Sequence, residues 1–302
     1  MDCAGKTLVD FFIENKTSNY CVLDRRSDKT TVSVAATGFG YYAWAVAEEV
    51  LGHRTVVDWI RKSISHIMSK MPAKNRGWLY HFIDPEGNPK FNEEVSSIDT
   101  AIFWLGARRA ANKLKDPELK VEIEEQIKKI DIQWMQTNNG QQPEKKLLSH
   151  GLFWEGDEPI FIGINWDCYN EGWLLYKLFN ISFTPQRTEY SLPLFVYYYL
   201  TCFYPEEKLF QDNLRAAVLW QINNYGYCGV TACDGPNGYS VNDPNVISPL
   251  SVWACSSIKE AADFLGKIPH DKTTPAYCRY GTWSASDRIG IDDGSCLMMI
   301  TT

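Results

Sequence analysis

The sequence predicts an all-α fold, an (α/α)6 toroid of two concentric helix rings, and three observations lead there. Helical periodicity recurs along the 302 residues. About ten candidate helices alternate between segments apolar on one stripe and segments apolar nearly all round. The loops between them are rich in Gly, Pro, Asn and Asp, which is turn chemistry. An inner-ring helix touches neighbours on every side, while an outer one shows a face to water. Two rings therefore account for the alternation, and twelve helices in two rings of six is the common closed arrangement.

Taken in order, the first candidate helix is Lys6–Glu14. Val32–Val50 follows and is apolar on all sides. Thr55–Met71 carries one stripe of Val56, Val57, Ile60, Ile64, Ile67, Met68 and Met71. Ser97–Leu114 comes next. Asp116–Gln136 has Leu119, Ile123, Ile127, Ile130 and Trp134 at spacings of three and four, with charges between them. Asp116 is a good N-cap for it, and Pro117 suits the first helical position. Asn170–Phe179, Leu192–Phe203, Glu206–Asn223, Pro249–Leu265 and Gly294–Thr302 complete the set. The inner ring should include Val32–Val50, Ser97–Leu114, Asn170–Phe179 and Leu192–Phe203. Strands should be confined to short loop hairpins; the turn-rich loops include 84–89, 138–140 and 234–238. No linker divides the chain, so residues 1–302 read as one domain.

Composition narrows the function. Hydrophobic residues make up 45% and charged residues 22%, which places the chain among globular proteins. A net charge of −7 disfavours nucleic acid and anionic lipid, and the longest basic clusters, Arg25-Arg26 and Lys128-Lys129, are too short to reverse that. Aromatic residues reach 14%, enough to supply both a core and the stacking surfaces that a carbohydrate cleft uses. The nine cysteines are odd in number and form no C-x-x-C, which reads as free, mostly buried thiols. No stretch approaches 18 apolar residues, so no membrane span is expected. The first residues, MDCAGKTLVDFFIEN, lack a basic region followed by an apolar run, and a cytoplasmic location is the expectation. The five histidines show no H-E-x-x-H spacing, no phosphate-binding loop exists, and no G-x-S-x-G surrounds a serine. The sequence thus points to no metal, no cofactor and no serine nucleophile.

Three clusters could carry chemistry. The first is Gly77-Trp78-Leu79-Tyr80-His81-Phe82 with Glu93-Glu94-Val95-Ser96-Ser97-Ile98-Asp99-Thr100. Ser96-x-x-Asp99 has the form of a capping box, and an acid in a first turn complements the helix dipole, so capping is the plain reading of Asp99. The second is Asn165-Trp166-Asp167-Cys168-Tyr169-Asn170-Glu171-Gly172-Trp173. Glu171 stands where a helix begins, with Asn170 as its cap, and three aromatics around two acids would desolvate a carboxyl and raise its pKa. The third, Gly229 to Tyr239 around Asp234, is a loop by composition.

Together these segments resemble the glycoamylase-like hydrolases, which include bacterial endo-β-1,2-glucanases and a domain of cyclic β-1,2-glucan synthases. The resemblance runs in order through Ser33-Val34-Ala35-Ala36-Thr37-Gly38-Phe39-Gly40, Gly77 to Phe82, and Glu94 to Thr100. It continues through Trp166 with Tyr169-Asn170-Glu171, Pro193-Leu194-Phe195-Val196, Thr231 to Pro236, and Gly290-Ile291-Asp292. It implies an (α/α)6 barrel that hydrolyses a β-linked glucan with paired carboxylates, so the expected partner is an oligo- or polysaccharide. Glu171 matches the family's YNE glutamate and becomes the candidate acid. Asp99 matches the aspartate of the family's STID-like motif and becomes the base, with Glu94 as the alternative. Trp78, Tyr80, His81, Trp166, Tyr169, Asp234 and Tyr239 are expected to line the sugar site. Tyr197-Tyr198-Tyr199 depart from the polar residues that the family pattern has there. That departure motivates a second reading, a sugar- or protein-binding module without turnover, and a phosphorylase or transglycosylase on the same fold is a third.

Overall fold

The computed structural model describes residues 3–25, 28–138, 141, 147–182, 184–185, 187–235, 238–244 and 246–265. These fall into two compact units interleaved along the chain. The first takes in Met1–Asp24, Asp28–Asp167 and Gly172–Thr184, and the second Arg25–Ser27, Cys168–Glu171 and Pro185–Thr302.

The first unit begins with α1 (Cys3–Glu14), β1 (Leu23–Arg25) and β2 (Asp28–Ser33). Next come α2 (Val34–Val46), α3 (Glu48–Leu51) and α4 (His53–Lys70). Two short strands, β3 (Phe82–Ile83) and β4 (Val95–Ser96), lead into α5 (Ser97–Leu114). After α6 (Pro117–Ile127) and α7 (Ile132–Thr137), a hairpin of β5 (Gly151–Glu155) and β6 (Glu158–Phe161) precedes α8 (Trp173–Leu178). The strands form two small sheets, in the orders β1-β2-β3 and β4-β5-β6.

The core of this unit is the α2–α5 pair. Both helices are buried on nearly all faces. They cross where each has a glycine: a Cβ on Gly38 would lie 2.5 Å from the Phe103 Cα, and one on Gly106 would lie 2.0 Å from the Gly38 carbonyl oxygen. No side chain larger than hydrogen fits either point, so the backbones meet directly and the aromatics pack around the crossing. Tyr41 meets Phe103 edge-on at 5.3 Å, Phe103 meets Trp104 at 4.8 Å, and all three rings are fully buried.

Capping residues set the boundaries. The Ser33 hydroxyl accepts from the Ala36 amide at 3.1 Å and starts α2, so Val32 and Ser33 belong to a strand and the predicted helix begins late. That helix also ends early, at Val46, and Val50 is exposed. The single helix expected over Asp116–Gln136 is two. Asp116 caps the first through the Leu119 amide at 2.8 Å, and Asp131 caps the second through the Trp134 amide at 3.0 Å. The Asp131 carboxylate is held by Arg76 at 3.0 Å, which fixes the break.

The second unit contains α9 (Phe195–Phe203), α10 (Lys208–Tyr225), a hairpin of β7 (Cys233–Gly235) and β8 (Gly238–Ser240), α11 (Pro249–Ala254) and α12 (Lys259–Leu265). Helix α9 is buried from Val196 to Phe203, as an inner-ring helix should be. Tyr197, Tyr198 and Tyr199 are part of that core, and the Tyr197 hydroxyl donates to the Glu189 carbonyl at 2.7 Å. Buried Gln221 ties the 229–230 loop to α10: its side-chain oxygen accepts from the Gly229 and Val230 amides at 3.0 Å each, and its amide donates to the Val230 carbonyl at 2.9 Å. The helix expected over Pro249–Leu265 is also split, at residues 255–258. The candidate helix Gly294–Thr302 lies outside the described residues. Among the described residues no strand exceeds six residues and six cysteines are free thiols, five of them buried. No helix among them is long and apolar enough to cross a membrane.

Candidate functional site

The first unit brings three of the sequence-predicted residues together. The segment 79–82 runs antiparallel to 94–96, with Tyr80 opposite Val95. His81 therefore stands opposite Glu94, and its amide donates to the Glu94 carbonyl at 2.9 Å. Cross-strand neighbours have their side chains in reach, and the imidazole Nδ1 lies 3.1 Å from Glu94 Oε2. The other ring nitrogen, Nε2, lies 3.7 Å from Asp99 Oδ1 in the first turn of α5. One imidazole thus stands between two carboxyl groups.

Asp99 is both helix residue and site residue. Ser96 is the N-cap of α5: its hydroxyl accepts from the Asp99 amide at 3.3 Å. In a full capping box the acid would reach back to the cap's amide. Here the Ser96 amide instead donates to the Leu79 carbonyl at 3.0 Å, which joins the two strand segments. The Asp99 carboxyl receives the Ser96 hydroxyl at 2.5 Å on Oδ2 and leaves Oδ1 facing His81. The cap is made by Ser96 alone, and the acid is free for other work.

The electrostatics of the three groups differ. The Asp99 side chain is 8% exposed, and those of His81 and Glu94 are 31% and 27% exposed. Burial raises the pKa of the Asp99 carboxyl. The His81 charge and the Ser96 hydroxyl pull it down, Glu94 adds to the rise, and the net direction is up.

Aromatic rings extend the cluster outward. His81 stacks on Phe82 at 3.8 Å, and Phe82 meets Phe91 edge-to-face at 5.5 Å. Phe91, Asn92 and Glu93 have φ of 49°, 64° and 56°, a left-handed turn without a glycine. Asn tolerates this region, but Phe and Glu pay about 1–2 kcal/mol each. The turn is pinned at its start, where the Lys90 ammonium donates to the Thr30 carbonyl and to the Thr30 and Thr31 hydroxyls at 2.8–3.0 Å. It ends on Glu94 itself.

Solved structures share this architecture. An endo-β-1,2-glucanase from Chitinophaga pinensis, in complex with sophorotriose and glucose, superposes with a TM-score of 0.70 at 17% identity, over 99% of this chain and 90% of that one. A β-1,2-glucanase from Parabacteroides distasonis matches with a TM-score of 0.67 at 15% identity, over 99% of this chain and 56% of that one. An endo-β-1,2-glucanase from Talaromyces funiculosus bound to sophorose gives 0.56 at 11% identity, over 98% and 83%. The chain has the (α/α)6 fold of these glucanases. No protein-family model matches the sequence, and no curated protein matches it.

The remaining site candidates are placed differently. Trp78 is fully buried, its indole donating to the Asp131 carbonyl at 3.0 Å and its ring against Phe179 at 5.5 Å. Tyr80 is 3% exposed, and burial raises its pKa. Trp166 is 4% exposed. His150 stacks on it at 3.6 Å, its indole donates to Ser97 at 2.9 Å, and Gly172 lies so close that a Cβ would meet the ring at 2.4 Å. All three aromatics are buried. In the second unit, Glu171 is half-buried in the turn before α8, and the residue at the cap position is Gly172, not Asn170. Asn170 instead donates to the Cys168 sulfur at 3.0 Å. Tyr169 is half-buried, and its carbonyl accepts from Asn213. Tyr239 is 42% exposed, with the Arg25 guanidinium 5.3 Å over its ring. Asp234 pairs with Tyr239 through the β7–β8 backbone, and its side chain lies outside the described part. Phe91 was not among the sequence candidates. A lone aromatic in the polar stretch from Glu86 to Glu94 was the available signal. Among the described residues no His, Cys, Asp and Glu group is arranged to hold a metal.

Proposed function

We propose that the chain is a glycoside hydrolase acting on a β-linked glucan, with β-1,2-glucan as the first substrate to test. The observation that carries this is the pair of carboxyl groups, Glu94 and Asp99, on opposite nitrogens of the half-exposed His81 imidazole. Glycoside hydrolysis needs one group to give a proton to the departing oxygen and another to take one from water. Burial favours the protonated form of Asp99, which suits a proton source and not the base that the resemblance suggested. Asp99 gives that proton to the departing oxygen, and His81 holds the two carboxyl groups on either side of its ring. Glu94 is the carboxylate open to solvent and takes the water's proton. The shared fold with the β-1,2-glucanases supports the substrate class, although fold alone does not fix chemistry. Glu171 enters on the resemblance only.

The test incubates the protein with β-1,2-, β-1,3- and β-1,4-glucans and follows new reducing ends, beside Glu94→Gln, Asp99→Asn and Glu171→Gln. Hydrolysis of the β-1,2-linked chain, lost in Glu94→Gln and Asp99→Asn, supports the proposal. Measurable glycan binding with no reducing ends from any substrate would point to the binding-module reading.

A further inference from the structure

We propose that Phe91 is a sugar-stacking platform: a binding subsite that takes the C–H face of a glucose ring in the glycan chain, with the left-handed turn Phe91–Glu93 as its mount. This rests on the reading of the Glu94–His81–Asp99 cluster as a glycosidase centre.

Three features carry it. Phe91 is a large apolar ring left 59% exposed, though Phe82 beside it offers a partner for burial. The backbone that presents it is in a conformation that Phe and Glu disfavour, and such strain persists only where the surroundings over-determine it. Here they do. The turn is anchored before Phe91 by Lys90 on the Asp28–Thr31 segment, where Asp28 in turn holds the Thr31 hydroxyl at 2.5 Å. After Glu93 it is anchored by strand β4.

The third feature is continuity with the acid cluster. Contacts run from Phe91 to Phe82, from Phe82 to His81, and from His81 to Glu94. The turn also feeds directly into Glu94, so ring and carboxylate are fixed to one another by two residues of rigid backbone. A glucan chain with one sugar at Glu94 would have a neighbouring sugar within reach of the ring. The Lys90 ammonium lies over the ring, 5.3 Å from its centroid, and its three protons go to Thr30 and Thr31, so it orients the ring on that segment. C–H stacking on the exposed ring suits a neutral polyhydroxylated ring, and Glu93 and Glu94 just after it in the chain disfavour an anion.

The experiment compares wild type, Phe91→Ala and Phe91→Trp. Turnover of β-1,2-gluco-oligosaccharides of increasing length is measured, and binding of the same sugars is measured calorimetrically in an Asp99→Asn background. Phe91→Ala should raise KM and weaken binding about threefold to tenfold, the usual effect of one aromatic contact, while kcat is retained and Phe91→Trp restores affinity. If wild type hydrolyses glucan and Phe91→Ala shows unchanged KM and binding, the platform is wrong and the hydrolase reading stands. If sugars bind without turnover and Phe91→Ala loses that binding, the platform stands and hydrolysis does not. If wild type neither binds nor cleaves any β-glucan, both are overturned.

Discussion

Replacing Gly106 with Ala tests the packing that positions the acid cluster. The added Cβ would sit 2.0 Å from the Gly38 carbonyl oxygen and 2.4 Å from its carbon, where ordinary contact begins at 3.4 Å, a shortfall of about 1.4 Å. The obstacle is backbone on a fully buried helix, so no rotamer change relieves it. Helices α2 and α5 must part, and the rings of Tyr41, Phe103 and Trp104 lose contact around the crossing. Overpacking of a core costs typically 1–3 kcal/mol, and this clash belongs at the upper end or beyond. At roughly 2–4 °C per kcal/mol, Tm should fall by about 6–12 °C. Gly163→Ala is the control, because its Cβ would meet nothing within 4 Å and its φ is not positive; it should be neutral or gain a few tenths of a kcal/mol. Melts followed by far-ultraviolet circular dichroism read both. Equal Tm values for the two variants would refute the close α2–α5 crossing.

Two further variants test the cluster. Asp99→Asn should cut turnover roughly 10²–10⁴-fold, the range for losing a positioned proton-transfer group. The same variant should gain stability relative to wild type as pH rises. The folded-state pKa of Asp99 is raised, so wild type binds the extra proton between the unfolded and folded values and loses stability as pH climbs through that window. Every tenfold by which folding tightens the hold on that proton becomes a loss of about 1.4 kcal/mol above the window, and Asn cannot suffer it. A Tm difference between variant and wild type that stays flat from pH 3 to 8 would contradict the buried, elevated carboxyl. Ser96→Ala removes both the cap of α5 and the hydroxyl on Asp99, so it should cost about 1 kcal/mol in thermal or denaturant melts. It should also move the alkaline limb of the pH–rate profile upward, because the lost hydrogen bond was lowering the Asp99 pKa.

Much of the fold was legible because helix burial writes itself into spacing. The all-round apolar run ending at Phe203 became a buried helix, and Asp116-Pro117 became a start. The break at residues 128–131 was hidden for the same reason that the helices were visible. Ile127, Ile130 and Trp134 are buried on both sides of it, so the stripe continues while the backbone turns. What breaks the helix is Asp131 held by Arg76, a contact 55 residues away in sequence. The acids of the candidate cluster were named from the sequence, and its outer ring, Phe91, was not. Asp99 and Glu94 lie close in sequence, but their meeting at His81 depends on strand pairing between 79–82 and 94–96. Trp78, Tyr80 and Trp166 have the composition of a sugar cleft and the surroundings of a core, and residue type alone does not separate the two. Phe91 escaped notice because its left-handed turn has no glycine to announce it.

The most direct test of the central claim is the release of reducing ends from β-1,2-glucan by wild type and by Glu94→Gln, with Tm recorded for both. The cluster account predicts hydrolysis by wild type and a fall of roughly 10²–10⁴-fold in the variant at unchanged Tm. Equal rates in the two proteins, or no reducing ends from wild type, would contradict it.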